Sequence, residues 1–176
     1  MQVLVVVDMQ QDFVTGVLGS KEAQAIVAQV VETIQRFPGE ICVTYDTHQG
    51  DYLQTQEGKQ LPIPHCLQGS PGWQLVPEVA QALAEKEEAQ TVVKEFQKPV
   101  FGSVELCRYL MGKAEVEEIT LIGVCTDICV LSNAIMLRSA LPETKIRVLA
   151  SCCAGISVEA HNRALEALGP CQIQVE

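Results

Sequence analysis

Two cysteines stand four residues apart in the segment GVCTDICV, which spans residues 123–130 and ends an apolar run. In a helix, Cys125 and Cys129 would lie on one side and about one helical pitch apart. This spacing fits two buried thiols, a disulfide across one helical turn, half of a metal clip completed by Cys152 and Cys153, or a nucleophile at a helix start. The two cysteines by themselves leave all four interpretations open.

The residues between the two cysteines favour the nucleophile. Thr126 and Asp127 are good N-cap residues, so they predict that a helix begins here with Cys129 in its first turn. Unpaired backbone N–H groups and the positive end of the helix dipole stabilise a thiolate at such a position. The same N–H groups could bind an oxyanion that develops during acyl transfer.

A thiol nucleophile needs a base and a cationic group nearby, and two strand ends offer them. Asp8 closes the run QVLVVVD, and Lys98 closes the run TVVKEFQK. Each of these charges would otherwise be unfavourable beside apolar residues, although either one alone is more often a surface charge. Together with Cys129 they predict a Cys–Asp–Lys site.

A second group of residues has the composition of a metal site. Asp46 and His48 form an Asp-x-His at the end of the apolar run EICVTYD, and His65 follows across a segment rich in proline and glycine. These two histidines are among only three in the chain. Two imidazoles and a carboxylate suit a divalent metal bound through nitrogen and oxygen.

The elements that must position these residues alternate along the whole chain. We predict strands over 2–8, 40–46, 91–98, 118–124, 145–150 and 171–175. We predict a long loop over 47–72 and helices over 21–36, 73–86, 103–112, 127–140 and 157–168. This alternation predicts an α/β fold with three layers, α-β-α, around a doubly wound, mostly parallel sheet of roughly six strands.

The predicted topology brings the candidate residues together. The carboxyl ends of parallel strands share one edge of the sheet, and the active crevice of such folds lies there. Asp8, Asp46, Lys98 and the Cys125–Cys129 segment all lie at or just after a predicted strand end. We therefore expect these four features, which are distant in sequence, to meet on one rim.

The composition excludes several classes of function. The 176 residues are 48% hydrophobic and 19% charged, which predicts a single globular domain over 1–176. A net charge of −10 opposes binding to nucleic acid or to an anionic membrane, so we expect a small-molecule partner and leave a homo-oligomer open. No segment predicts a signal peptide or a membrane span, so we expect eight reduced cysteines in the cytoplasm.

Five segments together resemble the isochorismatase-like cysteine hydrolases and, within them, the nicotinamidases. They are VVVDMQQDFVTGVL, TYDTH, PIPHCLQGSPGW, KPVFGSVEL and GVCTDICV, and the resemblance covers essentially the whole chain. It implies that Cys129 is the nucleophile, that Asp8 is the base and that a strand-end lysine completes the triad. It also implies a cis peptide before Cys125 and an oxyanion hole formed by the backbone N–H groups of Cys125 and Cys129.

Two lysines compete for the third position of that triad. Compared with the spacing common in the family, Lys98 lies too close to Phe101 and Lys94 slightly too far, so either assignment needs a gap. We favour Lys98 because it ends its predicted strand immediately before Pro99. If Lys94 is the triad residue instead, Lys98 is a solvated loop charge.

The resemblance also implies a divalent metal, zinc with iron or manganese as alternatives, bound by Asp46, His48 and His65. Glu57, which lies between the two histidines, would be a fourth ligand as in some family members. Phe13 matches an aromatic residue that lines the substrate pocket, although burial that only anchors its loop is an equal alternative.

The predicted activity is therefore hydrolysis of nicotinamide to nicotinate and ammonia through a thioester, as in pyridine-nucleotide salvage. Thr47 departs from the pattern because nicotinamidases often have tryptophan at that position. It leaves open a related hydrolase of another amide, carbamoyl or isochorismate-like substrate. A more distant alternative is a non-catalytic, cysteine-rich metal-binding or redox module.

Overall fold

A single parallel sheet of six strands forms the centre of the computed structural model, which describes residues 1–176. The strands are β1 (Gln2–Val7), β2 (Glu40–Asp46), β3 (Val93–Lys98), β4 (Glu118–Val124), β5 (Lys145–Ala154) and β6 (Gln174–Val175). Their order across the sheet is β3-β2-β1-β4-β5-β6, and all neighbouring strands are parallel.

Helices cover both faces of this sheet. They are α1 (Gln11–Val14), α2 (Lys21–Ala25), α3 (Val27–Arg36), α4 (Gln56–Gln60), α5 (Pro77–Glu88), α6 (Val104–Met111), α7 (Leu131–Ala140) and α8 (Val158–Leu168). Residues from α2, α3 and α5 pack into one hydrophobic cluster, and residues from α6, α7 and α8 pack into the other. The predicted three-layer, doubly wound fold is confirmed.

The central strands are hydrophobic on both sides because each side meets a layer of helices. In β1, Leu4 and Val6 belong to the first cluster, whereas Val3, Val5 and Val7 belong to the second. All five of these side chains are fully buried. An uninterrupted apolar run rich in β-branched residues is the pattern expected of a parallel strand covered on both faces.

Several predicted boundaries are wrong in detail. The segment 47–72 is not a continuous loop, because it contains α4 and two 3₁₀ turns, Tyr52–Gln54 and Pro71–Trp73. The helix predicted over 21–36 is divided at Ile26, and the one predicted over 73–86 begins at Pro77.

The last strands also differ from the prediction. β5 continues to Ala154 and so includes Cys152 and Cys153, whereas β6 is reduced to two residues because a 3₁₀ turn, Gly169–Cys171, precedes it. These differences leave the order of the elements unchanged. None of the helices is both long and apolar enough to cross a membrane.

The direction of chain winding reverses between β1 and β4, since β2 and β3 lie on one side of β1 and the remaining strands lie on the other. Gly123 allows the two strands to approach closely at this point. It has a φ of 116°, and a Cβ atom there would lie 2.1 Å from the carbonyl oxygen of Val7. The residues that follow β1 and β4 therefore meet at the crevice where α/β folds bind ligands.

Candidate active site

The carboxylate of Asp8 lies in the crevice directly after β1. Its backbone is in the left-handed region, with a φ of 50°, and its side chain is fully buried. The Thr44 hydroxyl donates a hydrogen bond of 2.6 Å to Asp8 Oδ1, and the Lys98 ammonium lies 2.7 Å from Oδ2. Burial raises the pKa of Asp8 despite the opposing positive charge of Lys98. Asp8 is therefore a buried carboxylate that can accept a proton.

Lys98, and not Lys94, reaches this carboxylate. Its Nζ lies 2.7 Å from Asp8 Oδ2, 3.4 Å from Asp46 Oδ1 and 3.6 Å from Cys129 Sγ. Lys94 is exposed and pairs with Cys42 near the opposite end of β3. Burial alone would lower the pKa of Lys98, but Asp8 and the other acidic groups around it, Cys129 and Asp46, together outweigh burial and raise the pKa. Lys98 is therefore an ammonium between three acidic groups.

Cys129 lies in a π-helical turn, Thr126–Val130, that precedes α7. The expected N-cap is absent, because Thr126 bonds His161 Nδ1 at 2.8 Å and Asp127 Oδ1 accepts from the Ile156 N–H. Burial and the negative charge of Asp8 raise the pKa of the Cys129 thiol. The sequence had indicated a stabilised thiolate, but the burial of this group favours the neutral thiol until a base removes the proton.

The turn also presents backbone donors beside Cys129. The peptide bond between Val124 and Cys125 is cis, and the Cys125 N–H donates to no acceptor in the protein. The Cys125 carbonyl accepts hydrogen bonds from the N–H groups of Ile128 and Val130, which fixes the turn. We refer to Asp8, Lys98 and Cys129 as the thiol triad.

Asp46, His48, Glu57 and His65 form a second cluster, which we call the His–carboxylate tetrad. One donor atom from each residue lies within 4.8 Å of the others. Asp46 Oδ2 lies 2.9 Å from His48 Nε2 and 3.4 Å from His65 Nε2. Glu57 Oε1 lies 3.7 Å from His48 Nε2 and 3.8 Å from His65 Nε2.

The tetrad fits a divalent cation. Nδ1 of His65 is 2.8 Å from the Ile63 carbonyl and donates to it, so Nε2 keeps its lone pair and faces the cluster. Burial and the neighbouring charge of Asp46 raise the pKa of Glu57. A bound cation would offset both effects, because its positive charge stabilises the ionised carboxylate. Two imidazoles and two carboxylates suit zinc, iron or manganese.

A cavity of about 410 Å³ connects the two clusters. Its polar lining includes Asp46, Glu57 and His65, and Cys129 contributes to the same wall. Most of the other lining residues are apolar: Phe13, Leu18, Ala23, Leu61, Phe101, Val124, Cys125, Ile128, Ala154 and Ile156. A small apolar ring with one polar group would match this lining.

Phe13 lies in this cavity at its predicted place. Its ring meets the His65 ring edge-on, with 5.5 Å between the ring centroids. Cys125 lines the same cavity, and burial raises its pKa to about 12. Thr47 points elsewhere, since its hydroxyl accepts a hydrogen bond of 2.9 Å from the Trp73 indole.

Sequence reasoning missed several supporting residues. Thr44 holds Asp8, and Asn133 Nδ2 donates to the Cys129 carbonyl at 2.8 Å. Tyr52 packs against the rings of His48 and His65, with centroid distances of 4.7 and 5.1 Å. Tertiary contacts define these roles, so residue spacing in the sequence does not predict them.

The sequence profile of the isochorismatase domain matches residues 2–175. The chain belongs to the isochorismatase family. Solved structures with the same hydrolase fold include the pyrazinamidase/nicotinamidase of Streptococcus mutans UA159, which is 27% identical with a TM-score of 0.84 and full coverage of both chains. No curated protein sequence gives a significant match.

Two further solved structures share this fold. The pyrazinamidase of Pyrococcus horikoshii, solved in complex with zinc, is 26% identical with a TM-score of 0.79. The nicotinamidase of Bacillus subtilis is 25% identical with a TM-score of 0.83. Each comparison covers 99% of this chain and 98% of the other.

Proposed function

We propose that this isochorismatase-family protein hydrolyses nicotinamide to nicotinate and ammonia through a thioester on Cys129. The observation that supports it most is a fully buried carboxylate, Asp8, whose Oδ2 lies 2.7 Å from the Lys98 ammonium. That ammonium is 3.6 Å from the Cys129 sulfur, at the wall of a cavity of suitable size. A base, a cation and a nucleophile in contact form the minimum set for acyl transfer.

The first half of the reaction forms the thioester. Asp8 takes the proton from Cys129, and Lys98 stabilises the negative charge that remains. The thiolate attacks the carboxamide carbon, and the backbone N–H groups of Cys125 and Cys129 bind the oxyanion. One such donor typically contributes about 3–4 kcal/mol to lowering the barrier. The protonated Asp8 then gives its proton to the leaving amine, so the C–N bond breaks and ammonia departs.

The second half of the reaction releases nicotinate. Asp8, again a carboxylate, takes a proton from water, and the water oxygen attacks the thioester carbon. The same N–H groups hold the second oxyanion, and its collapse breaks the C–S bond. The Cys129 sulfur recovers the proton, which returns the thiol triad to its starting state.

The tetrad would hold a divalent metal through Asp46, His48, Glu57 and His65. When bound, the metal would supply a Lewis-acid anchor for the ring nitrogen of the substrate. Zinc is our preferred ion because the structurally similar Pyrococcus enzyme was solved with zinc. All eight cysteines are free thiols. The cytoplasmic location stays a prediction.

A second candidate is hydrolysis of another amide or carbamoyl compound. Thr47 favours it, because its hydroxyl is engaged by Trp73 and an aromatic side chain is absent from that position. The two candidates share the thiol triad, so only the choice of substrate separates them.

Ammonia release from nicotinamide by zinc-loaded protein tests the proposal. We expect steady turnover by the wild type and a loss of about 10⁴-fold or more in Cys129→Ala, whose fold is retained. Benzamide, which lacks the ring nitrogen, serves as the matched control substrate and should react much more slowly. Turnover by Cys129→Ala at the wild-type rate would contradict the mechanism, and turnover of another amide alone would support the second candidate.

A further inference from the structure

Gln10 is a fully buried polar residue that the proposed mechanism does not use. Its Oε1 accepts a hydrogen bond of 2.8 Å from the Asp46 N–H, and its Nε2 donates to the Asp46 carbonyl, also at 2.8 Å. The second Nε2 hydrogen is donated to the Trp73 carbonyl at 2.9 Å. Both amide hydrogens and the amide oxygen are thus engaged, so this pattern fixes the orientation of the side chain.

The two hydrogen bonds from Gln10 to Asp46 take the place of the backbone pairing that β1 would have provided. The ladder between β1 and β2 ends with the pair Val7 and Thr44, because the chain turns away at Asp8. Beyond that point Gln10 supplies the donor and the acceptor that a strand backbone would have offered to Asp46. The peptide groups of Asp46 are therefore held at the very end of β2, where its carboxylate must face both clusters.

The third bond connects Gln10 to Trp73, which contacts the residue after Asp46. Trp73 ends the turn Pro71–Trp73, and its indole donates to the hydroxyl of Thr47, the residue between Asp46 and His48. The Gln10 amide thereby connects the backbone of Asp46 to the turn Pro71–Trp73. Buried amides with every partner satisfied are rigid supports, because any displacement leaves a polar group unpaired.

We infer that Gln10 is a positioning residue for the tetrad and that it sets metal affinity and coordination geometry through Asp46. The inference rests on the proposed metal site and adds a role for a residue that touches no ligand atom. Asp46 Oδ2 lies 2.9 Å from His48, while Oδ1 lies 3.4 Å from Lys98. A carboxylate shared between two clusters in this way tolerates little movement of its backbone.

Gln10→Met tests this inference, with Gln11→Met as the matched control. Methionine keeps the length of the side chain and adds no charge to the site. Gln11 is the neighbouring glutamine, and its side chain makes one hydrogen bond, of 3.4 Å, to the Leu75 carbonyl. Zinc affinity is measured on metal-free protein by competition with a chromogenic chelator, and the visible spectrum of the Co²⁺-loaded protein reports coordination geometry.

We expect Gln10→Met to bind zinc about 10- to 100-fold more weakly than the wild type and to shift the Co²⁺ bands. Gln11→Met should keep the wild-type spectrum and an affinity within about twofold. Gln10→Asn, which keeps an amide but is too short to span both partners, should behave as Gln10→Met does and replaces it if that variant does not fold.

Unchanged zinc affinity and an unchanged Co²⁺ spectrum in the Gln10 variants would overturn the inference about Gln10. The proposed function would not be affected, because nicotinamide turnover by the wild type is measured separately. A wild-type protein that binds neither zinc nor Co²⁺ would overturn the inference together with the proposed metal site.

Discussion

The thiol triad and the His–carboxylate tetrad touch through a single contact, between Lys98 and Asp46, but the chain builds them in different ways. Asp8 and Lys98 are held by the ends of β1 and β3, and Cys129 lies in the turn that follows β4. The tetrad takes only Asp46 from a strand. His48, Glu57 and His65 lie in a segment of short turns, the helix α4 and an isolated bridge between His48 and Leu67.

Exposure separates only Glu57 from the other residues. The triad residues, as well as Asp46, His48 and His65, are all at most 5% exposed, whereas the Glu57 side chain is 17% exposed. Sheet pairing holds Lys98 and the strands that lead to Asp8 and to the Cys129 turn. A segment with few ladder hydrogen bonds depends on local contacts for its geometry, and its geometry is therefore easier to alter. Substitutions in the triad should lower the rate of the chemical step, whereas substitutions in the tetrad should weaken metal binding.

Asp8→Asn should give the largest effect and should separate the two regions. We expect kcat to fall about 10³- to 10⁴-fold because the base is lost. The negative charge of Asp8 raises the pKa of Cys129, so its removal lowers that pKa and increases the thiolate fraction. Iodoacetamide should therefore alkylate Cys129 faster at pH 8 although turnover falls. Wild-type zinc affinity in this variant would show that metal binding by the tetrad does not depend on Asp8. Slower alkylation would contradict the claim that the charge of Asp8 raises the pKa of Cys129.

Lys98→Met should give the next largest effect, and Lys94→Met is its control. Loss of Lys98 leaves the buried Asp8 carboxylate without its ion-pair partner, which should cost about 3–5 kcal/mol of unfolding free energy. We expect kcat to fall about 10²- to 10³-fold. Lys94→Met should remain within about twofold of the wild type in kcat, because that side chain is exposed. Steady-state kinetics and urea titration measure both variants, and a larger loss in Lys94→Met would assign the triad to the other lysine.

Glu57→Gln should have the smallest effect and concerns the tetrad only. The variant keeps the size of the side chain but loses the anionic oxygen, so we expect zinc affinity about tenfold weaker. At saturating zinc, kcat should stay within about threefold of the wild type. Asp51→Asn, at an exposed position in the same segment, is the control. Equal zinc affinity in the two variants would remove Glu57 from the ligand set.

The same contrast explains how much the sequence predicted. Strand ends predict location well: the positions of Asp8, Asp46 and Lys98 at one rim follow from apolar runs and from the parallel topology. The choice between Lys98 and Lys94 depends on sheet register, which pairs Lys98 with Asp46 and Lys94 with Cys42. Sequence spacing alone could not supply that register because neither lysine fits the family pattern without a gap.

The segment that contains His48, Glu57 and His65 and the turn that contains Cys129 were less predictable. The sequence predicts a loop where α4, which includes Glu57, is found, because the surrounding residues are rich in glycine, proline and polar side chains. The predicted N-cap at Thr126 is wrong because its hydroxyl bonds His161, a partner 35 residues away. Gln10 and Thr44 lie within two of the quoted motifs, but their roles depend on partners 36 residues away.

The thioester on Cys129 is the central claim, and partitioning of the acyl group tests it most directly. Zinc-loaded wild-type protein is given nicotinamide with increasing hydroxylamine, and ammonia, nicotinate and nicotinohydroxamate are measured together. A thioester that stays on Cys129 after ammonia has left predicts that the hydroxamate replaces nicotinate in proportion to hydroxylamine, while ammonia release does not fall and Cys129→Ala forms neither product. Steady ammonia release with nicotinate as the sole acyl product at every hydroxylamine concentration would contradict it.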